Sequence, residues 1–280
     1  MNLQNIISDI EKVDPEVYER TSDRRDIFKN FGGVGKKIAL SALPFALGGI
    51  FNKAYGQTTA DIIGVLNFAL KLEYLEYNFY QQGVANAALM AQGNATNTAA
   101  LTVIRDHENA HVNFLRTVIT SLGGTPVTLT AANFDYTAKG AFPTWNTNYD
   151  VYLAIAQAFE DTGVRAYKGQ AGNVKSNRTV LTAALNIHSV EARHAARVRL
   201  MRAGRGGAGA NTKPWITGND TSGIGPKVQA SYNGEENVTQ AGIVITNING
   251  LSISANAASE AFDEPLTAAE VTAIVTPFFV

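Results

Sequence analysis

The 280-residue sequence contains no cysteine. Without a thiol the chain forms no disulfide, holds no iron–sulfur cluster or cysteine-ligated zinc, and has no thiol nucleophile. An electron relay of the rubredoxin type is excluded for the same reason. Whatever chemistry the chain performs must therefore rest on other side chains.

Neither sign of charge is in excess. The 23 Lys and Arg residues and the 24 Asp and Glu residues give a net charge of -1. There is thus no electrostatic reason to expect nucleic acid or an anionic membrane surface as a partner. Apolar residues make up 45% of the chain, which is typical of a globular protein with enough apolar mass for a buried core.

The apolar run over 38–51 is too short for a comfortable membrane span, which needs about 20 residues. Arg24 and Arg25 precede it, and small residues follow at Ala54 and Gly56. This order resembles a bacterial twin-arginine export signal; the alternative is a buried helix after an unrelated arginine pair. We expect the signal, which places the mature chain in the periplasm, in the cell envelope or outside the cell, without a membrane span.

Four segments show the three-and-four spacing of apolar residues that is typical of amphipathic helices. They run from Thr58 to Gly83, from about Ala99 to Leu122, from Tyr149 to Gly169 and from Asn177 to Ala203. Residues 123–148 are rich in Thr, Asn, Gly and Pro and form one long connection, an established feature of four-helix bundles. The sequence predicts an all-α fold, an antiparallel four-helix bundle with one long crossover.

The remainder of the chain predicts an irregular C-terminal extension that covers the bundle. Residues 242–248 have the pattern of a strand or of an extended segment, and a short helix is expected over 267–275, where Thr267 and Glu270 form a capping box. The sequence thus divides into three segments: an export signal over 1–56, the bundle over 57–203 and the extension over 204–280.

Each half of the bundle region carries the same two signatures. One helix has a Glu followed seven residues later by a Tyr, and the next helix has Glu-x-x-His. The pairs are Glu73 with Tyr80, Glu108 with His111, Glu160 with Tyr167, and Glu191 with His194. The region is therefore an internal repeat of one helical hairpin.

The Glu-x-x-His spacing has a physical reason. Residues three apart on a helix share a face, with Cβ atoms about 5–6 Å apart, so a Glu and a His can reach one ion together. Two such helices across a core supply two ions, which the Glu residues of the motifs can bridge. Four carboxylates and two imidazoles suit iron or manganese better than a structural zinc. Ala156 and Gly163 flank Glu160 on its face and leave room for a small ligand such as O2 or peroxide.

Other side chains nearby have competing interpretations. Glu76 can replace or join Glu73. His188 lies one turn before Glu191 and is read as a packing residue rather than a ligand, while His107 is expected at a helix interface or in solvent. The arginines near the end of the fourth helix, Arg193, Arg197, Arg199, Arg202 and Arg205, are read as a solvated basic face that fits the helix dipole.

These residues resemble the ferritin-like superfamily of di-iron and di-manganese carboxylate proteins, in which two helices each carry a Glu and two carry Glu-x-x-His. The strings LNFALKLEYLEYNFY and AFDEPLTAAEV also resemble a subgroup that includes plant desiccation-related proteins and exported bacterial homologues. The resemblance implies that Glu108 and Glu191 bridge two metals, and that Glu73 and Glu160 are terminal carboxylates. It also implies one metal each for His111 and His194, with Tyr80 and Tyr167 as aromatic residues beside the redox site.

Three functions follow as hypotheses. The first is an exported metalloenzyme with two Fe or Mn ions that reacts with O2 or hydrogen peroxide as an oxidase, peroxidase or catalase. The second is iron sequestration by ferroxidation and storage, for which the N-terminal and C-terminal extensions make a closed cage less fitting. The third is a non-catalytic envelope protein of stress protection. The expected partners are O2, peroxide or iron, with a homo-oligomer left open.

Overall fold

The computed structural model describes residues 57–280, and the expected export signal over 1–56 lies outside them. Within this part the α-helices are α1 (Thr59–Ala85), α2 (Ala87–Met90), α3 (Ala95–Ser121), α4 (Tyr149–Ala171), α5 (Arg178–Arg205), α6 (Ala255–Ser259) and α7 (Ala268–Val275). The same part contains an antiparallel pair of short strands, β1 (Thr239–Gln240) and β2 (Ile243–Val244), and several short 3-10 helices. The all-α fold predicted from the sequence is confirmed.

Polar side chains set where the long helices begin. Thr58 caps α1 by a capping box with Asp61, since each side chain bonds the other residue's backbone N–H. Asn94 caps α3 by accepting a hydrogen bond from the backbone N–H of Asn97 at 2.8 Å. Helix α3 therefore starts at Ala95, four residues before the start that its apolar pattern predicts. The capping residue, and not the first apolar residue, determines where the helix begins.

The four long helices pack as two hairpins. Helix α1 packs along α3, and α4 packs along α5; contacts of α1 with α4 and of α3 with α5 join the hairpins. The ring of Phe79 lies in the core between them, stacked on Tyr152 with centroids 4.5 Å apart. The four-helix bundle is thus built from the repeated unit that the sequence shows.

The long crossover between α3 and α4 is tied to the bundle by aromatic residues. The Tyr136 hydroxyl donates to the backbone oxygen of Leu75 at 2.8 Å, and the ring of Tyr136 lies 5.0 Å from that of Trp145. The end of the chain lies along the same segment, because the backbone N–H of Val280 donates to Asn133 at 3.1 Å. The connection is therefore packed despite its lack of regular helix.

Two buried arginines hold the C-terminal extension against α4 and α5. Arg199 pairs with Asp161 at 2.6 Å, and both side chains are buried; Asp161 also accepts a hydrogen bond from the Tyr232 hydroxyl of the extension. Arg165 pairs with Glu235 at 2.7 Å. The prediction that Arg199 and Arg202 lie on a solvated face is therefore wrong. Their exposed fractions are 1% and 7%, because the extension covers them.

The rest of the extension follows its local sequence signals only in part. The capping box at Thr267 and Glu270 is present and starts α7. Of the strand-like residues 242–248, Ile243–Val244 form a strand, and the chain then passes through a turn over 246–247 into a short 3-10 helix over Ile248–Gly250. No helix in residues 57–280 is long and apolar enough to cross a membrane.

Candidate metal centre

The six predicted ligands come together in the core of the bundle. Helix α1 supplies Glu73, α3 supplies Glu108 and His111, α4 supplies Glu160, and α5 supplies Glu191 and His194. All four carboxylates are completely buried. Each of the four helices thus contributes to one enclosed cluster of acidic and imidazole groups.

The cluster consists of two groups, each able to hold an ion. One contains Glu73, Glu108, His111 and Glu191, and the other contains Glu108, Glu160, Glu191 and His194. Within each group, one ligand atom per residue lies within 4.8 Å of the others. Glu108 and Glu191 belong to both groups, which is the placement that two bridging carboxylates require.

Both imidazoles turn the same nitrogen toward the carboxylates. His111 Nδ1 lies 3.1 Å from Glu73 Oε2 and 3.1 Å from Glu108 Oε2. His194 Nδ1 lies 2.7 Å from Glu108 Oε1 and 3.4 Å from Glu160 Oε2. The two histidines therefore occupy matching positions in the two groups, and Nδ1 is the atom that each one offers to an ion.

The tyrosines of the repeat cross from one hairpin to the other. The Tyr80 hydroxyl on α1 donates to Glu160 Oε1 on α4 at 2.5 Å. The Tyr167 hydroxyl on α4 donates to Glu73 Oε1 on α1. The Glu-to-Tyr spacing of seven residues on each helix thus produces two reciprocal bonds, each holding one outer carboxylate.

His107 contacts the site in a way that the sequence reasoning missed. Its Nδ1 lies 2.9 Å from His194 Nε2, and the two rings stack with centroids 5.2 Å apart. A sequence signal exists, since His107 lies one turn before His111 and can face α5, but its partner depends on how α3 and α5 pack. His188 instead bonds the backbone oxygen of Val164 at 3.0 Å and belongs to neither group.

Glu76 is buried beside the cluster, where Gly163 makes room for it. A Cβ atom on Gly163 would lie 2.9 Å from Glu191 Oε2 and 3.3 Å from Glu76 Oε1. The expected space for a small ligand at this glycine is therefore taken up by carboxylate oxygens. Glu76 is absent from both four-residue groups, but it is close enough to act on Glu191.

Burial controls the acidity of most of these carboxyl groups. It raises the pKa of Glu73 to about 7, although His111 partly opposes the shift. Burial and the neighbouring carboxylates raise the pKa of Glu76 and of Glu191 well above the usual value. Without cations, the cluster therefore retains protons on several carboxyl groups.

Glu108 and the histidines form the ionised part of the cluster. Burial acts to raise the pKa of Glu108, but the close interactions with His111 and His194 outweigh it and lower the pKa to about 2. Burial likewise acts to lower the pKa of His194, but Glu160 and Glu108 raise it to about 11. The two imidazolium groups thus lie between the carboxylates and offset part of their negative charge.

The buried atoms that lack partners show that the residues fit metal ions. Among the described residues, both oxygens of Glu191, Glu108 Oε1, Glu160 Oε2 and His194 Nδ1 are buried without a well-aligned hydrogen bond, although His194 Nδ1 lies 2.7 Å from Glu108 Oε1. Buried polar atoms normally have a partner, and an unpaired one is costly. Carboxylate oxygens and imidazole nitrogens are donors that iron and manganese accept. All of these atoms belong to residues of the two four-residue groups.

Comparison with known families agrees with this geometry. A family model described as a ferritin-like domain matches residues 61–203, which is about half of the chain and includes the six clustered ligands and both tyrosines. No curated protein matches the chain. The match ends before the extension, so the resemblance to desiccation-related proteins stays a prediction.

Proposed function

The chain belongs to the ferritin-like domain family, and from this premise we propose that it binds a dinuclear iron or manganese centre and reacts with O2 or hydrogen peroxide. The observation that carries the proposal is the sharing of Glu108 and Glu191 between two four-residue groups. Shared carboxylates hold two ions close together, whereas a purely structural bundle has no need of orphaned buried oxygens.

Each residue has a distinct part in such a centre. Glu73 and His111 would hold one ion, Glu160 and His194 the other, and Glu108 with Glu191 both. Two iron or manganese ions supply redox chemistry toward O2 or peroxide when bound. Tyr80 and Tyr167 orient the outer carboxylates through their hydroxyl groups and stand beside the reacting space.

Burial of the cluster supports an enzyme over a surface metal site. The complete burial of all four carboxylates keeps bulk water from the centre, and this strengthens each electrostatic interaction inside it. The C-terminal extension occupies faces of α4 and α5 through Arg165 and Arg199. A closed storage shell, which needs free helix faces for subunit contacts, is the less favoured use of the same site.

Metal analysis combined with two activity measurements tests the proposal. The purified chain should contain about two redox metal ions, and added hydrogen peroxide should be consumed, with oxygen evolution marking a catalase. Rapid oxidation of excess ferrous iron, with retention of the product, would instead support sequestration. A folded chain that takes up neither iron nor manganese would refute both metal hypotheses and favour a non-catalytic protein of the envelope.

A control variant keeps the result specific. Glu236→Gln changes an exposed carboxylate of the extension and should leave metal content and activity unchanged. Glu191→Gln keeps the volume of the side chain but removes one charge from both groups, so it should lower both readings. Equal loss in the two variants would mean that the cluster is not the site.

A further inference from the structure

A cavity of about 120 Å³ lies inside the bundle beside the candidate metal centre. All four long helices contribute to its wall: Leu66 and Leu72 from α1, Leu115 from α3, Tyr167 from α4, and Val180 from α5 are among the lining residues. Protein interiors are close-packed and contain few voids larger than a water molecule. A cavity of this size therefore needs an explanation.

The polar lining residues of the cavity are engaged or lie at its outer end. The Tyr167 hydroxyl donates to Glu73, which leaves the ring of Tyr167 as cavity wall. The side-chain oxygen of Gln170 accepts a hydrogen bond from Asn173 at 2.9 Å, and Thr179 is exposed. A polar ligand would find no hydrogen-bond partner among the buried lining residues. The apolar lining of the cavity therefore favours an apolar ligand.

The cavity has a buried end and an open end. Leu66, Leu72 and Leu115 are buried, and Leu72 directly precedes Glu73 in the chain. Phe114 on α3 is 42% exposed, and Thr179 on α5 is also exposed; both residues line the cavity. The cavity is therefore open to solvent near these two residues, while the buried ring of Tyr167 forms part of its inner wall.

We propose that this cavity binds a small apolar organic molecule, of about the size of a monocyclic arene, in contact with the Tyr167 ring. Apolar cavities of about 150 Å³ stay dry and accept benzene in other proteins, and this cavity has a comparable volume. The binding rests on the cavity walls alone and not on the proposed metals. Its position next to the Tyr167–Glu73 bond places an apolar ligand beside the candidate centre.

Fluorobenzene is the probe, and its binding to the full chain without added metal is followed by fluorine NMR. Saturable binding is expected, and pyridazine, a polar ring of similar size, should not bind. Ala69→Leu on α1 and Ala183→Leu on α5 replace a methyl side chain by a larger isobutyl side chain at partly exposed lining positions, and so reduce the cavity volume. Each should weaken fluorobenzene binding at least tenfold.

Ala203→Leu is the matched control, since it makes the same change on α5 outside the cavity lining. The affinity of this variant for fluorobenzene should stay within twofold of that of the unchanged chain. Circular dichroism shows which variants fold, and either cavity variant alone is sufficient for the test. No saturable binding, or binding that a folded Ala69→Leu or Ala183→Leu variant leaves unchanged, would overturn the proposal. Because metal content is measured separately, this outcome is distinct from failure of the metal centre.

Discussion

The Tyr80 hydroxyl lies 2.5 Å from Glu160 Oε1, across the interface between α1 and α4. These two residues are 80 positions apart in the chain, and both are completely buried. Their bond joins the two hairpins at the candidate metal centre. Its counterpart, from Tyr167 to Glu73, gives the bundle an internal symmetry in which each hairpin orients a carboxylate of the other.

Removing the Tyr80 hydroxyl should therefore affect both folding and metal binding. Tyr80→Phe leaves a buried carboxylate oxygen without a donor, so the free energy of unfolding of the metal-free chain should fall by about 1–3 kcal/mol. Loss of a partner that orients a ligand should weaken metal affinity about 10–100-fold. Urea unfolding and competition with a chelator measure the two effects.

Tyr74→Phe is the matched control for this variant. Tyr74 is buried on the same helix, but its hydroxyl has no hydrogen-bond partner within residues 57–280. Its removal should leave the metal affinity unchanged. If Tyr74→Phe weakened metal binding as much as Tyr80→Phe, the bond to Glu160 would not be the cause.

The shared and unshared carboxylates should differ in how many ions their loss removes. Glu108 belongs to both groups and Glu73 to one, so Glu108→Ala should remove both ions and Glu73→Ala about one. Elemental analysis of the folded proteins gives the metal content per chain. Two ions retained in Glu108→Ala would contradict the assignment, whereas two ions retained in Glu73→Ala would point to Glu76 as the substitute ligand.

His107 should tune the half of the centre that contains His194. With His107 Nδ1 as acceptor, the ring of His194 is held with Nε2 protonated and Nδ1 free for an ion. His107→Phe keeps a stacking ring but removes the acceptor, and should lower metal affinity about tenfold. His188→Phe is the comparison in the same assay, because the His188 side chain bonds the backbone oxygen of Val164 and belongs to neither four-residue group. Equal losses would speak against His107 as an orienting residue.

The clustering of the six predicted ligands in the structure follows from spacing that is local in the sequence, while their role as ligands stays a prediction. Glu108 and His111 are three positions apart, as are Glu191 and His194, so helical geometry alone places each pair on one face. The bonds of His107 and Arg199 could not be predicted in this way. Each has a partner on another element, His194 on α5 for the former and Asp161 on α4 for the latter, and which face is covered depends on the packing of the bundle and the extension.

The surroundings of Gly163 are another feature that the sequence could not predict, because they depend on how the helices pack. A small residue beside Glu160 indicated open space, but the space is filled by side chains from α1 and α5. The helix face of Gly163 could be predicted from periodicity, and the identity of its neighbours could not. The residue permits carboxylates to approach one another rather than leaving a vacancy for a ligand.

Export by the twin-arginine route remains a prediction for residues 1–56. Replacing both Arg24 and Arg25 with Lys should keep the chain inside the cell, because the paired arginines are what the export signal requires. Fractionation of the producing cells and the mass of the exported protein measure the effect. Exported protein that still contains the arginine pair would contradict cleavage of the signal.

Metal binding should release protons and should therefore strengthen as pH rises. In the metal-free cluster the carboxylates raise the pKa of His194 to about 11 and also raise the pKa of His111, so both imidazoles are protonated at pH 7. An ion at Nδ1 must displace that proton. Each proton released should improve the apparent affinity about tenfold per pH unit. Below pH 7 the affinity for the ion should depend more steeply on pH, since burial raises the pKa of Glu73 to about 7 and its carboxyl group must then also ionise.

Calorimetric titration with Mn²⁺ in two buffers of different ionisation enthalpy counts the protons directly. A count of zero at pH 7 would mean that the histidines are neutral before the ion arrives, and that the ions do not replace imidazolium charge among these carboxylates.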